Sequence, residues 1–338
     1  MVPSREVIAA NEVTLTRQSR SFAIPILKLD DRFRHAVMVE YNLNKTVDTI
    51  EDSQALDRKE KAQFTEEFCD ALERELVPEK VRERMLAVTP AAEAFVFENW
   101  DATMALFRSL GPGERELAKK WTAEMARGMS RFHKKRIETG TDLNDYCYYV
   151  AGTVGMFLTG LLHLKGEGVS DGLYGKLQER AVHFGLFLQK LNVIRDVVED
   201  KRVKGRSFWP EKYSRPGRDR LDVLNTMCYE TLKNDLPGAI AYATGIPPGN
   251  ESYEYFLRFI LSSGMEYLKI LKNNPSVFSR LKVKLPGIFV RQLYRQVSTL
   301  TPAEYGEYCD RVFGEESAYY QSLEGIAADD GGHTGPVR

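Results

Sequence analysis

The chain has 338 residues, with 47 Lys and Arg against 48 Asp and Glu and a formal charge of −1 at pH 7. That balance excludes an overall field that would draw in a polyanion, so nucleic acid is not an expected partner and an anionic ligand must be held by local groups. The four cysteines, Cys69, Cys147, Cys228 and Cys309, form no CxxC or Cys/His cluster, which argues against a zinc site or a disulfide framework and for a reducing, cytoplasmic setting.

The N-terminal stretch MVPSREVIAANEV lacks the basic start and apolar run of a signal peptide. From Ala36 to Ile50 the apolar residues Val39, Leu43, Val47 and Ile50 share one helical stripe, and Tyr41, Lys45, Asp48 and Asp52 form a polar stripe on the same helix. The charged helix around Asp57 to Glu75 reads as a solvated face. A break follows at Gly111 to Gly113. Tyr146 to Leu164 carries no Lys, Arg, Asp or Glu and approaches the ~20 residues that span a bilayer. Gly152, Gly155 and Gly160 dilute it and no interfacial anchors flank it, so a buried helix is expected, with surface association with a membrane left open. Beyond the loop from Gly166, Phe184, Phe187, Leu188, Leu191, Ile194 and Val198 form a second core stripe. Gln189, Asn192, Asp196 and Glu199 run beside it at spacings of three, four and three. Glycine and proline collect again after Lys201 and from Gly245. Alternation typical of half-buried strands is scarce and no stretch reads as an interdomain linker. The expectation is an all-α chain, a monomer with one domain over residues 1–326 and a disordered polar tail at 327–338.

Chemistry concentrates in two acidic clusters. Asp48, Glu51 and Asp52 are spaced i, i+3, i+4, and so are Asp196, Glu199 and Asp200, which puts each set on one side of a helix. Like charges so placed repel and call for a cation. Carboxylate oxygens without His or Cys suit hard Mg2+, which takes one or two protein carboxylates together with waters and phosphate oxygens. Either cluster alone is equally well read as surface acid. The polar stripes on otherwise apolar helices favour the walls of a wet cleft inside a bundle. A di-iron carboxylate bundle would need Glu-x-x-His pairs, and the five histidines are preceded at that spacing by Arg32, Ser130, Gly160, Arg180 and Asp330.

VDTIEDS, containing Asp48 to Asp52, resembles the first aspartate-rich motif of the squalene synthases. DYCYYVAGTVG from Asp145 resembles their tyrosine motif, GLFLQKLNVIRDVVED from Gly185 their second aspartate-rich motif, GRSFWP from Gly205 their flap, and SRSFA from Ser19 their N-terminal arginine motif. The blocks occur in that family's order over roughly residues 15 to 215, and the combination is far more specific than any one block. Phytoene and dehydrosqualene synthases share the VAGTVG and NxxRDxxED blocks, whereas DTxED and FWP look more like squalene synthase.

The resemblance implies an isoprenoid synthase-type helical bundle around a central cavity. It also implies condensation of two farnesyl diphosphates to presqualene diphosphate, then reductive rearrangement with NADPH. On this reading Asp48, Asp52, Asp196 and Asp200, with Glu51 and Glu199, hold Mg2+. Arg20, Lys45, Arg195 and Arg206 face diphosphate, and Gln189 and Asn192 line the substrate cleft. Tyr149 serves the proton loss of cyclopropane closure, Phe22 and Phe256 shield cations through their ring faces, and Gly152 and Gly155 let a prenyl chain approach the backbone. Lys282 and Lys284 stand in for a basic nicotinamide-cofactor stretch, which here reads LKVKLPG; position 45 is Lys where the family usually has Arg. A phytoene- or dehydrosqualene-type synthase, an enzyme stopping at presqualene diphosphate, and a non-catalytic helical interaction protein are the competing readings.

Overall fold

Helix starts follow local chemistry. Asp57 accepts the backbone N–H groups of Lys59 and Glu60 at 2.7 and 2.9 Å, and the Glu60 carboxylate accepts the Asp57 N–H at 3.2 Å, closing a capping box. Thr139 and Thr301 do the same with Asp142 and Glu304. Pro112 and Pro302 occupy first turns, where a missing N–H breaks no helical bond.

The computed structural model describes residues 2–323 other than 134, 204 and 214–216, without the side chains at 20 and 21. The tail expected at 327–338 lies outside the described residues. The N-terminal part comprises α1 (Arg5–Gln18), α2 (Arg20–Leu27), α3 (Arg34–Asp52), α4 (Arg58–Glu73), α5 (Glu79–Val88), α6 (Ala91–Glu98), α7 (Trp100–Ser109) and α8 (Pro112–Arg131). Then come α9 (Gly140–Cys147), a π-helical turn (Tyr148–Gly152), α10 (Thr153–Lys165), α11 (Asp171–Arg195) and α12 (Val197–Val203). The chain closes with α13 (Arg220–Ala243), α14 (Glu251–Leu271), α15 (Gly287–Thr299) and α16 (Pro302–Gln321). No strand occurs among the described residues.

The expected breaks at Gly111, Gly166 and Gly245 fall between helices. The long α11 is the hub: it packs most extensively on α13 and also on α10, the π turn, α14 and α9, while α8 packs on α3, α4 and α10. Val39, Leu43, Val47 and Ile50 of α3 are buried, as are Phe184, Phe187, Leu191 and Ile194 of α11. Val198, expected on the same stripe, is only half-buried, because the helix breaks before it. The reading of residues 57–75 as a solvated face is corrected: Phe64, Phe68, Cys69 and Leu72 of α4 are buried, so its charges cover only the outer side.

Gly140–Lys165 is the one stretch among the described residues long and apolar enough to cross a bilayer, with hydropathy 1.3, yet 56% of its most apolar window is buried in the protein. Phe157, Leu158, Leu161 and Leu162 point into the core, and α8 and α11 cover the helix. All four cysteines are buried free thiols.

Candidate active site

Between Ala36 and Asp52, every residue of α3 is buried except Tyr41, Lys45, Asp48 and Asp52, which are half-buried. Spacings of four, three and four put these on one line of the helix. Lys45 Nζ donates to Asp48 Oδ2 at 2.5 Å, and the attraction of Asp48 holds the Lys45 ammonium above its ordinary range. On α11, between Phe184 and Arg195, the half-buried residues are Leu188, Gln189, Asn192 and Arg195. Asn192 donates to Gln189 at 3.2 Å. These are two polar lines on helix segments that, Leu188 apart, are otherwise buried.

α11 ends at Arg195 because Asp196 turns out of helical geometry (φ −97°, ψ 12°), and the Asp200 N–H still reaches the Asp196 carbonyl at 2.8 Å. The acidic spacing therefore survives a break that periodicity did not show. Arg195 grips Asp196 with two bonds, Nε to Oδ1 at 2.9 Å and Nη2 to Oδ2 at 2.6 Å. Burial works to raise the Asp196 pKa, but these bonds, with help from Lys282, hold it below the usual carboxylate value. Lys282 Nζ lies 3.4 Å from Asp196 and 2.8 Å from Glu199, tying the segment after α14 to α12. Asp200 is buried.

Glu51 belongs to a different cluster. Its buried carboxylate is bonded by Arg206 Nη2 and by His133 Nε2, and its backbone carbonyl by Lys61. Burial lifts its pKa to about 7 against the pull of Arg206, and burial with the nearby Lys61 and Arg206 depresses His133 to about 4, so the imidazole is neutral at pH 7. Arg206 also donates to the Phe132 carbonyl at 3.1 Å, and its guanidinium lies 4.5 Å from the Phe208 ring. Phe208 and Trp209 are buried, with Trp209 Nε1 donating to Val193 O at 3.0 Å, so this segment is pinned onto α11.

Tyr149 lies in the π turn, half-buried. π turns insert a residue into a helix and recur at functional sites. Arg131 Nη1 donates to its hydroxyl oxygen at 2.7 Å. Phe22 is 37% exposed, with its ring 6.1 Å from that of Tyr41. Phe256, by contrast, is buried beside Tyr253 at 6.2 Å and belongs to the core. The Arg20 side chain lies outside the described residues. The expectation for Gly152 and Gly155 is corrected: a Cβ on Gly152 would meet the Tyr148 ring at 2.8 Å and one on Gly155 the Ala181 carbonyl at 2.5 Å. Their missing side chains make room for the protein's own atoms, not for a ligand.

A cleft of about 230 Å³ opens beside the second cluster. Five cations, Arg195, Arg202, Arg280, Lys282 and Lys284, line it against two acids, Asp196 and Glu199. A larger cavity, about 280 Å³, lies between α9 and α13 and is lined by Lys190, Lys212 and Glu230; it contains none of the residues of the two polar lines.

Among the described residues no three His, Cys, Asp or Glu side chains are grouped to hold a metal. Four acids of the expected triplets pair with the protein's own cations: Lys45 with Asp48, Arg195 and Lys282 with Asp196, Lys282 with Glu199, Arg206 with Glu51. The donor chemistry nonetheless fits Mg2+, since one or two carboxylates per ion suffice. Asp48 with Asp52 and Asp196 with Asp200 would hold such ions as pairs. Arg131, Phe132 and His133, which touch Tyr149, Arg206 and Glu51, were not singled out from the sequence, because SRFHKK carries no motif or spacing signal.

An all-helical bundle, with a flap that reaches Glu51 of α3 and Val193 of α11 and a π turn that carries Tyr149, has the isoprenoid synthase-type all-α fold. A family profile described as squalene/phytoene synthase matches residues 15–286, and the chain belongs to that family. It is 31% identical over 280 residues to squalene synthase of Bos taurus, covering 78% of this chain and 63% of the relative. It is 29% identical over 278 residues to squalene synthase LSS of Botryococcus braunii, covering 78% and 58%. The chain thus matches about three fifths of the length of these curated relatives. A solved structure of TcSQS with the ligand BPH1237 superposes with a TM-score of 0.77 at 24% identity over 94% of this chain and 99% of that one. A dehydrosqualene synthase in complex with ligand follows at 0.59 and 18% identity, covering 87% and 96%.

Proposed function

We propose that the protein condenses two farnesyl diphosphates head to head to presqualene diphosphate and rearranges this reductively to squalene. The half-buried line Tyr41, Lys45, Asp48 and Asp52, on a helix segment that is otherwise buried, carries the reading. Ordered charge on a core helix has a use only if something polar enters the bundle.

Departure of diphosphate from an allylic carbon concentrates negative charge on the leaving group, and fixed cations in a sheltered site stabilise that charge without reorganising. Lys45 and Arg195 would supply such charge, and the bonds that order each against a carboxylate support this. Asp48, Asp52, Asp196 and Asp200 would hold magnesium, which would supply the remaining charge neutralisation. The Phe22 and Tyr41 rings offer π-faces to the allylic cation while excluding water. Cyclopropane closure expels a proton, and the Tyr149 oxygen takes it through the lone pair that Arg131 leaves unused while its own O–H proton passes to the departed diphosphate. NADPH would supply the hydride of the second half-reaction, and the cationic cleft beside Asp196 suits its phosphates.

Purified protein incubated with farnesyl diphosphate and Mg2+ should yield squalene when NADPH is present and presqualene diphosphate when it is withheld, read by mass analysis. A hydrocarbon with the ultraviolet absorbance of a conjugated triene, formed without NADPH, would identify a dehydrosqualene-type enzyme instead. Binding without diphosphate release would remove the catalytic reading. Asp48→Asn and Asp196→Asn should each lower turnover by orders of magnitude and leave the thermal melt nearly unchanged, since each relieves repulsion while deleting a ligand oxygen. Wild-type rates in either variant contradict the metal role.

A further inference from the structure

We propose that Arg131 is a positioning residue for the Tyr149 hydroxyl, and that it acts from the C-terminal end of α8, which also registers Arg206 and Glu51. The inference rests on the proposed condensation for its catalytic meaning and on geometry for its substance.

α8 and its C-cap give Tyr149 a seat, a latch and a wall at positions i, i+3 and i+4, which share one helix face. The seat is Gly128: a Cβ there would stand 2.0 Å from the Tyr149 ring, so the ring occupies the space of the missing side chain. The wall is Phe132, whose ring centroid lies 6.4 Å from that of Tyr149. The latch is Arg131, with Nη1 2.7 Å from Tyr149 Oη and its guanidinium carbon 5.3 Å from the ring centroid. Among the described residues Arg131 makes no ion pair, although it is exposed and on the surface of a charged helix. Its bonding is directed at a phenol instead of a carboxylate.

The next two residues hold the other parts of the site. The Phe132 carbonyl accepts Arg206 at 3.1 Å, and the His133 ring meets the Glu51 carboxylate that Arg206 also binds. Tyr149 is thereby located in the same frame as α3 and the flap. A donor fixed on Tyr149 Oη occupies one lone pair and sets the direction of the other and of the O–H. Without it a phenol in a half-open π turn turns about its C–O bond and its ring rocks, and proton transfer needs the acceptor within hydrogen-bond reach of the departing proton.

The test compares wild type, Arg131→Met, Arg131→Lys, Tyr149→Phe and Arg131→Met/Tyr149→Phe. The readouts are presqualene diphosphate formation, its partition against farnesol, the thermal melt, and NMR of 13C-tyrosine protein with the Tyr149 ring signal assigned by its loss in Tyr149→Phe. Arg131→Met should cut kcat about tenfold, less than the ~10²-fold or more expected for losing the acid–base group itself. KM and the melt should hold, farnesol should rise, and Lys should restore part of the rate. Added to Tyr149→Phe, Arg131→Met should cost nothing further. An additive loss in the double variant, or a raised KM at unchanged kcat, would make Arg131 a direct substrate contact and overturn the proposal. The NMR arm stands without catalysis: if wild type condenses nothing, the functional reading fails, yet the Tyr149 signal should still shift and sharpen in Arg131→Met. An unmoved signal overturns the positioning role whatever the activity.

Discussion

Glu40 sits on α3 with 2% of its surface exposed, and its carboxyl oxygens receive bonds from Thr122 at 3.1 Å and Asn44 at 3.2 Å. It makes no ion pair among the described residues. Burial therefore dominates, and its pKa rises from 4.5 to about 8. The folded protein keeps a proton that the unfolded chain releases above 4.5, so this group's contribution to stability is fully present below pH 4.5 and is lost as pH rises toward 8. Glu40→Gln keeps the shape and removes the titration. Its melting temperature should match wild type near pH 5 and exceed it by several degrees at pH 8.5; parallel melting curves across that range would show that Glu40 is ionised when folded. The neighbouring acids show which features spacing reveals. Asp48 and Asp52 were readable as a half-buried polar line because they share a helix face with Tyr41 and Lys45. Glu51 lies about 90° around the helix from the centre of that line, at 100° per residue. Its partners, His133 and Arg206, come from remote parts of the chain. No local pattern announces a contact of that kind.

The close approach of α11 to the helix before it depends on two reciprocal gaps. A Cβ on Gly155 would come within 2.5 Å of the Ala181 carbonyl, and one on Gly185 within 2.5 Å of the Ala151 carbonyl. Both obstacles are backbone, which cannot rotate aside. Gly155→Ala should therefore destabilise by about 1–3 kcal/mol, the usual cost of overfilling a packed interface. Gly175→Ala, on the exposed first turns of α11 with nothing within 4 Å of the added carbon, should be neutral or stabilising by about 0.5–1 kcal/mol from helix propensity. Denaturant midpoints measured on the pair decide the matter, and equal shifts of both variants would refute the backbone contact. The helix itself was legible from the Phe184–Ile194 periodicity. The π turn at Tyr148–Gly152 and the break at Asp196 were not, because a one-residue insertion or a single non-helical ψ leaves hydrophobic spacing almost unchanged. Those two irregularities are where Tyr149 and the second acidic cluster sit.

The bundle as a whole was legible because its signals agree: helical periodicity throughout, glycine and proline at the breaks, and an apolar segment that finds its cover in α8 and α11. Which helices touch was not legible, since interfaces are made by residues far apart in sequence. The α11–α13 interface contains Lys190, whose Nζ bonds Asp235 Oδ2 at 2.5 Å, with side chains 8% and 3% exposed. His183 Nδ1 lies 3.4 Å from the other Asp235 oxygen. Because α11 is the hub, this pair reports on global unfolding more than on local fraying. Two ions out of water cost several kcal/mol each, and their attraction roughly offsets that cost only while both are present. Asp235→Ala should thus destabilise by about 3–5 kcal/mol, because it strands the Lys190 charge. Lys190→Met should do the same to Asp235, softened by the His183 ring that remains 3.4 Å from its carboxylate. Lys190→Met/Asp235→Leu replaces both charges with side chains of similar volume and should lose much less than the sum of the two. Denaturant unfolding of the three variants gives the coupling directly; strictly additive losses would mean that the pair is solvated through the adjoining cavity that Lys190 lines.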